Sequence, residues 1–147
     1  MARVGAVART RPQARRVAFL AEVKGALDLA AVEIVRARAE EPAATAPDGY
    51  DTVVARAVAP LDRLVTLAAP LLRAGGEILA LKGARAQAEV DGARSVLRRV
   101  GGRADVLACP LPGEAGTATV VRVAVDGSPT RPRRSPPTDP GSRARHR

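Results

Sequence analysis

The sequence predicts an α/β fold in which a mostly parallel sheet is covered by helices on both faces. Short β-branched runs alternate with longer segments of helical period from residue 14 to residue 125. At 147 residues the chain makes one small domain or a piece of a larger one. A chain that alternates strand and helix makes right-handed crossovers, which lay the strands parallel and the helices against the sheet. The 46% apolar content supports a core, although most of it is Ala and Val and the aromatics are Phe19 and Tyr50 alone. Such a core gains less burial energy per residue than one rich in large side chains.

The elements follow in order. Val17, Leu20, Ala21, Leu27 and Ala31 recur near helical spacing, so 14–30 reads as an amphipathic helix. VEIV (32–35) and DTVVARAV (51–58) are β-branched runs preceded by polar or turn residues, and read as strands. Pro60 suits a first helical turn, and Leu61, Leu64, Val65, Ala68, Leu71 and Leu72 continue a helix to Arg73. Gly75-Gly76 ends it, and EILALKG (77–83) follows as a strand. Residues 84–100 form a further helix with Val90, Ala93, Leu97 and Val100 inward. ADVLAC (104–109) and TATVVRVAV (117–125), joined by a Pro/Gly turn, close the chain as an antiparallel pair.

Composition excludes several classes. No stretch approaches the roughly 20 apolar residues of a membrane span, and no apolar run follows the basic N-terminal residues as in a secretory signal. The chain therefore reads as soluble and cytoplasmic. One cysteine, Cys109, allows neither an internal disulfide nor a multi-cysteine zinc site, and no metal is expected. No G-x-G-x-x-G follows a strand, which argues against a nicotinamide-dependent domain.

The formal charge of +9 is carried by the ends. Residues 1–16 sum to +5 and residues 127–147 to +5, while 17–126 sum to −1. Arginine-rich ends raise non-specific RNA affinity through counterion release. They also fit an arginine-heavy coding habit, since the chain has 22 Arg against 2 Lys.

Five segments in order carry a resemblance: RRVAFL (15–20), RAEEP (38–42), VVARAVAPLDRL (53–64), GGEILALKG (75–83) and TVVRV (119–123). Together they resemble the C-terminal part of the ribosomal RNA small subunit methyltransferase G family, also called glucose-inhibited division protein B. The resemblance covers roughly residues 12–125. It implies a Rossmann-like class I S-adenosylmethionine-dependent methyltransferase fold, whose last strand inserts antiparallel. It implies methylation of a guanine N7 in 16S rRNA with S-adenosylmethionine as methyl donor, the partner being 16S rRNA or the small ribosomal subunit. A monomer is favoured.

The family also carries, upstream of RRVAFL, a strand and a Gly-rich loop for the methionine and ribose parts of the cofactor. An acidic residue stands there just before a proline. In this sequence Arg11 precedes Pro12, and a guanidinium has donors only where a carboxylate would accept from ribose hydroxyls. The fold is therefore expected to be N-terminally incomplete: an atypical basic N-terminus (1–11), a partial methyltransferase domain (12–126) and a disordered basic Pro/Arg-rich tail (127–147). The chain as it stands is expected to bind the cofactor poorly and to be inactive. The alternative is a non-enzymatic remnant that binds RNA weakly through its arginine-rich ends.

The resemblance assigns the adenine end of the cofactor to Ala39 and Glu40, and a cofactor contact to Arg56. From position alone, Glu40 reads rather as a solvated acid at a helix start and Arg56 as an exposed arginine among many, and the resemblance reverses both. Lys82, closing EILALK, reads either as a substrate or phosphate contact or as a strand-end lysine with an apolar stem. Cys109 reads as a structural thiol rather than a nucleophile, and His146 as irrelevant. No catalytic residue is assigned.

Overall fold

The computed structural model describes residues 4–7, 14–35, 37–41, 48–56, 59–113 and 116–126. The tail 127–147, with His146, lies outside the described residues, as does Arg11.

The first element among the described residues is a strand that the sequence reading does not anticipate, β1 (Val4–Val7). Helix α1 (Ala14–Ala26) leads from it to β2 (Val32–Val35), which pairs with β1 in parallel from Val4↔Val32 to Val7↔Val35. α1 is shorter than the periodicity suggests. It ends after Gly25 and Ala26, and Asp28 takes a left-handed φ of 49° that leads the chain out of the helix. Val17 and Leu20 are half-buried as their spacing predicts, whereas Phe19 stays 61% exposed.

The second sheet has four strands in the order β3 (Tyr50–Arg56), β4 (Leu72–Lys82), β6 (Thr117–Val125), β5 (Gly102–Pro110). β3 and β4 are parallel, while β6 inserts between β4 and β5 antiparallel to both. The turn before β6 is built as its Pro/Gly content suggests. Gly113 and Gly116 take positive φ, and the Leu111 amide donates to the Gly116 carbonyl at 2.9 Å.

The helix expected over 60–73 is three elements. α2 spans Leu61–Ala68, a 3₁₀ turn spans Ala69–Leu71, and β4 begins at Leu72. Pro70 is the physical reason, because it has no amide to donate and its ring crowds the carbonyl four residues back, although Ala69 before it keeps helical angles (φ −55°, ψ −40°). Gly75-Gly76 accordingly lies inside β4 rather than after a helix. Gly76 is buried under the first turn of β3, where a Cβ would meet the Tyr50 and Asp51 carbonyl oxygens at 3.0 Å. The helix expected over 84–100 is also divided, into α3 (Ala86–Gly92) and α4 (Arg94–Arg99). The break at Ala93 follows Gly92, the residue after proline least favourable in a helix, and the Ala93 amide is shared between the Glu89 and Val90 carbonyls.

Strand alternation decides the core. Ile78, Ala80, Val121, Val123 and Val125 point to one face of the sheet and are almost wholly buried. Leu61, Leu64, Val65 and Ala68 of α2 pack onto them, with Ala86 and Ala93 and with Val96 and Leu97 of α4. The opposite face holds half-buried Leu79 and Val120 and the exposed ion pair between Arg122 Nε and Glu77 Oε2 at 2.7 Å. A smaller cluster, Ala37 and Leu71 with Val35, Ala39, Tyr50 and Val53, joins the end of β2 to the start of β3.

Candidate functional site

The carboxyl ends of β3 and β4 open into a cleft of roughly 890 Å³, lined by Arg56, Pro60, Lys82, Arg85 and Glu89 among others. In open α/β sheets, ligands bind outside the carboxyl ends of the strands. Arg56 is the last residue of β3 and pairs with Leu81. By alternation it stands on the face opposite Lys82, which continues the buried row of Ile78 and Ala80 toward the helices. The structure thus brings Arg56 and Lys82 to one cleft from the two faces of the sheet.

Their environments differ. Arg56 is exposed and takes part in no ion pair among the described residues. The Lys82 side chain is only 9% exposed, and its Nζ donates to Glu89 Oε2 at 2.6 Å and to the Ala59 carbonyl at 2.7 Å. Glu89 Oε2 also accepts from the Leu61 amide at 2.9 Å. That amide is one of the donors left without a partner in the first turn of a helix. Pro60, the N-cap of α2, has no side-chain acceptor to offer it, so a carboxylate from α3 serves instead.

Ala39 and Glu40 lie in the turn after β2, again at a carboxyl end, but outside the lining of this cleft. Ala39 is half-buried against the cluster that includes Tyr50 and Val53, while Glu40 is exposed. Cys109 is half-buried near the end of β5 and is unpaired. Among the described residues no group of three or more His, Cys, Asp or Glu is placed to hold a metal, and no helix is long and apolar enough to cross a membrane.

Glu89 and Arg85 were not legible as site residues. Glu89 stands seven positions after Lys82, across a strand end and a helix start, and only the path of the chain through Gly83 turns α3 back over β4. A sequence pattern fixes spacing along one element, not across such a turn.

Comparison with known proteins places the chain among relatives. Residues 10–107 match the family model of rRNA small subunit methyltransferase G. A protein of that name from Salinispora tropica is 45% identical over 130 residues, covering 83% of this chain and 54% of the relative. Its counterpart in Streptomyces coelicolor is 45% identical over 119 residues, covering 80% and 49%. The chain spans about half the length of these curated relatives. Among solved structures, an rRNA methylase from Streptococcus thermophilus matches with a TM-score of 0.56 at 14% identity, over 84% of this chain and 73% of that one. A methyltransferase from Pyrococcus furiosus matches with a TM-score of 0.58 at 12% identity, over 85% and 63%. With the antiparallel insertion of β6, these likenesses establish the Rossmann-like class I methyltransferase fold that the sequence predicts.

Proposed function

The chain belongs to the rRNA small subunit methyltransferase G family, and on that premise we propose that it serves S-adenosylmethionine-dependent methylation of a guanine N7 in 16S rRNA. The observation that carries this reading is the placement of Arg56 at the rim of a cleft at the carboxyl ends of two parallel strands. S-Adenosylmethionine supplies an electrophilic methyl group on a cationic sulfonium.

The residues suit this ligand in kind. Ala39, packed beside Tyr50 and Val53, offers a small apolar surface for one side of an adenine. The exposed Glu40 carboxylate can accept from an amine or a hydroxyl, and the Arg56 guanidinium donates in a planar fork that suits a carboxylate or a ring nitrogen. Guanine N7 has a lone pair and no proton, so the reaction needs no general base. The chain's contribution is to hold two reactants in line, which can lower a barrier by several kcal/mol (about 7–11 at best) through proximity and orientation. The RNA partner is held chiefly through its phosphates, as most positioning contacts to nucleic acids are.

Titration of S-adenosylhomocysteine into the ¹⁵N-labelled chain tests this reading even at weak affinity. Ala39, Glu40 and Arg56 amide signals are expected to move together and saturably. Shifts confined to β5 and β6, or none at all, would reject it.

A further inference from the structure

We propose that Lys82 and Glu89 form a positioning pair that fixes the entry to α2, from Ala59 to Leu61, at the edge of the cleft, and that Lys82 is not itself a ligand-facing cation. The consequence for binding rests on the reading of Arg56 as a cofactor contact. The pair itself rests on geometry.

Lys82 lies on the packed face of β4 with its side chain 9% exposed, and two of its three ammonium protons are taken by Glu89 and by the Ala59 carbonyl. Ala59 is three residues beyond Arg56. Glu89 holds the Leu61 amide two residues further on. The intervening Pro60 has no amide by which the turn could be tied. One ion pair thus grips the turn on both sides of its proline, from β4 and from α3 at once.

The ion pair neutralises the cleft's own acid, which leaves Arg56 and Arg85 as the unpaired cations of its lining among the described residues. Arg56 is exposed, and among the described residues no ion pair steadies its guanidinium. Among the described residues that follow it, Ala59 and Leu61 are the ones the pair anchors. Breaking a largely buried pair by removing one partner leaves the other charged and poorly solvated, so the turn has to move to relieve it.

Amide hydrogen exchange and ¹⁵N NMR of the full 147-residue chain test the proposal with Glu89→Ala, Glu89→Gln and Lys82→Met. In Glu89→Ala, exchange at Leu61 is expected to rise about tenfold or more, and the Arg56 amide and Nε–H signals to move. Ile78 and Val121, at the strand centres, keep their protection. Glu89→Gln retains an oxygen that accepts from both donors, and is expected to return the Arg56 signals toward those of the parent. Lys82→Met moves the Arg56 signals with a smaller effect at Leu61. Arg56 signals unmoved by both Glu89→Ala and Lys82→Met would overturn the proposal and leave Glu89 as a local cap of α2. If Glu89→Ala does not fold, Lys82→Met decides by the same Arg56 signals. A parent chain that fails to bind S-adenosylhomocysteine would defeat the functional reading while leaving these signals interpretable.

Discussion

Gly49 lies so close to the backbone of Arg73 that a Cβ on it would stand 2.6 Å from the Arg73 nitrogen. The contact sits where β3 enters the sheet beside β4, at the register shift between Tyr50 and Thr52. Gly49 also has a φ of 77°. Gly75, with φ 72°, has open space where its Cβ would be. Gly49→Ala should therefore destabilise the chain by clearly more than Gly75→Ala, whose cost is the left-handed backbone alone, about 1–2 kcal/mol. Chemical unfolding of the two variants side by side checks this. Equal losses would mean that the Gly49 backbone can shift freely.

Ile78 is fully buried at the centre of β4, against α2 and β6. Ile78→Ala should cost about 2–5 kcal/mol, from lost transfer energy and the cavity left behind. Val54 on β3 is 67% exposed, and Val54→Ala should be close to neutral. Denaturant midpoints for both variants test the core assignment.

Arg122 has its pKa raised above the ordinary guanidinium value, first by its hydrogen bond with Glu77 and then by the charge of that carboxylate. A group raised on folding contributes stability that is complete below its unfolded pKa and is lost only as pH rises through the folded one. For an arginine that window lies in strong alkali. The difference in stability between the parent and Glu77→Gln should then be flat from about pH 6 to pH 9 and shrink with added salt, since both partners face solvent. A difference that changes steeply with pH in that range would point to another titrating group.

In a chain extended with the Streptomyces coelicolor relative's upstream residues, Arg56→Ala should weaken S-adenosylmethionine binding about tenfold or more, the loss of one charge-assisted hydrogen bond. Arg63→Ala, on the exposed side of α2, serves as a control for charge alone and should leave affinity unchanged. Calorimetry or equilibrium dialysis separates the two. Equal affinity of parent and Arg56→Ala would remove Arg56 from the site.

The fold was readable where local pattern and tertiary packing agree. The β-branched runs VEIV and TATVVRVAV became β2 and β6 at the expected residues, and the antiparallel ending followed from the Pro/Gly turn before Thr117. The reading failed where one residue overrides periodicity. Leu71 and Leu72 keep helical spacing with Leu64 and Ala68, yet Pro70 breaks the hydrogen-bond ladder and turns the same apolar residues into a strand start. β1 is VGAV, with Gly and Ala at its centre where VEIV carries a β-branched residue, and it is made by pairing with β2. At the site, Arg56 and Lys82 were legible as strand ends. What Lys82 touches was not, because Glu89, Ala59 and Leu61 reach it from three other parts of the chain.

The central claim is that this chain carries working cofactor and substrate elements of a guanine-N7 methyltransferase. It is tested most directly by joining the Streptomyces coelicolor relative's upstream residues, through the acid that stands before the proline, to this chain from Pro12 onward. Methyl transfer from labelled S-adenosylmethionine to undermethylated 16S rRNA is then measured. The account predicts transfer to a guanine N7, lost when Arg56→Ala is introduced into the same chimera. A chimera that folds as cooperatively as the relative yet transfers no methyl group would contradict it.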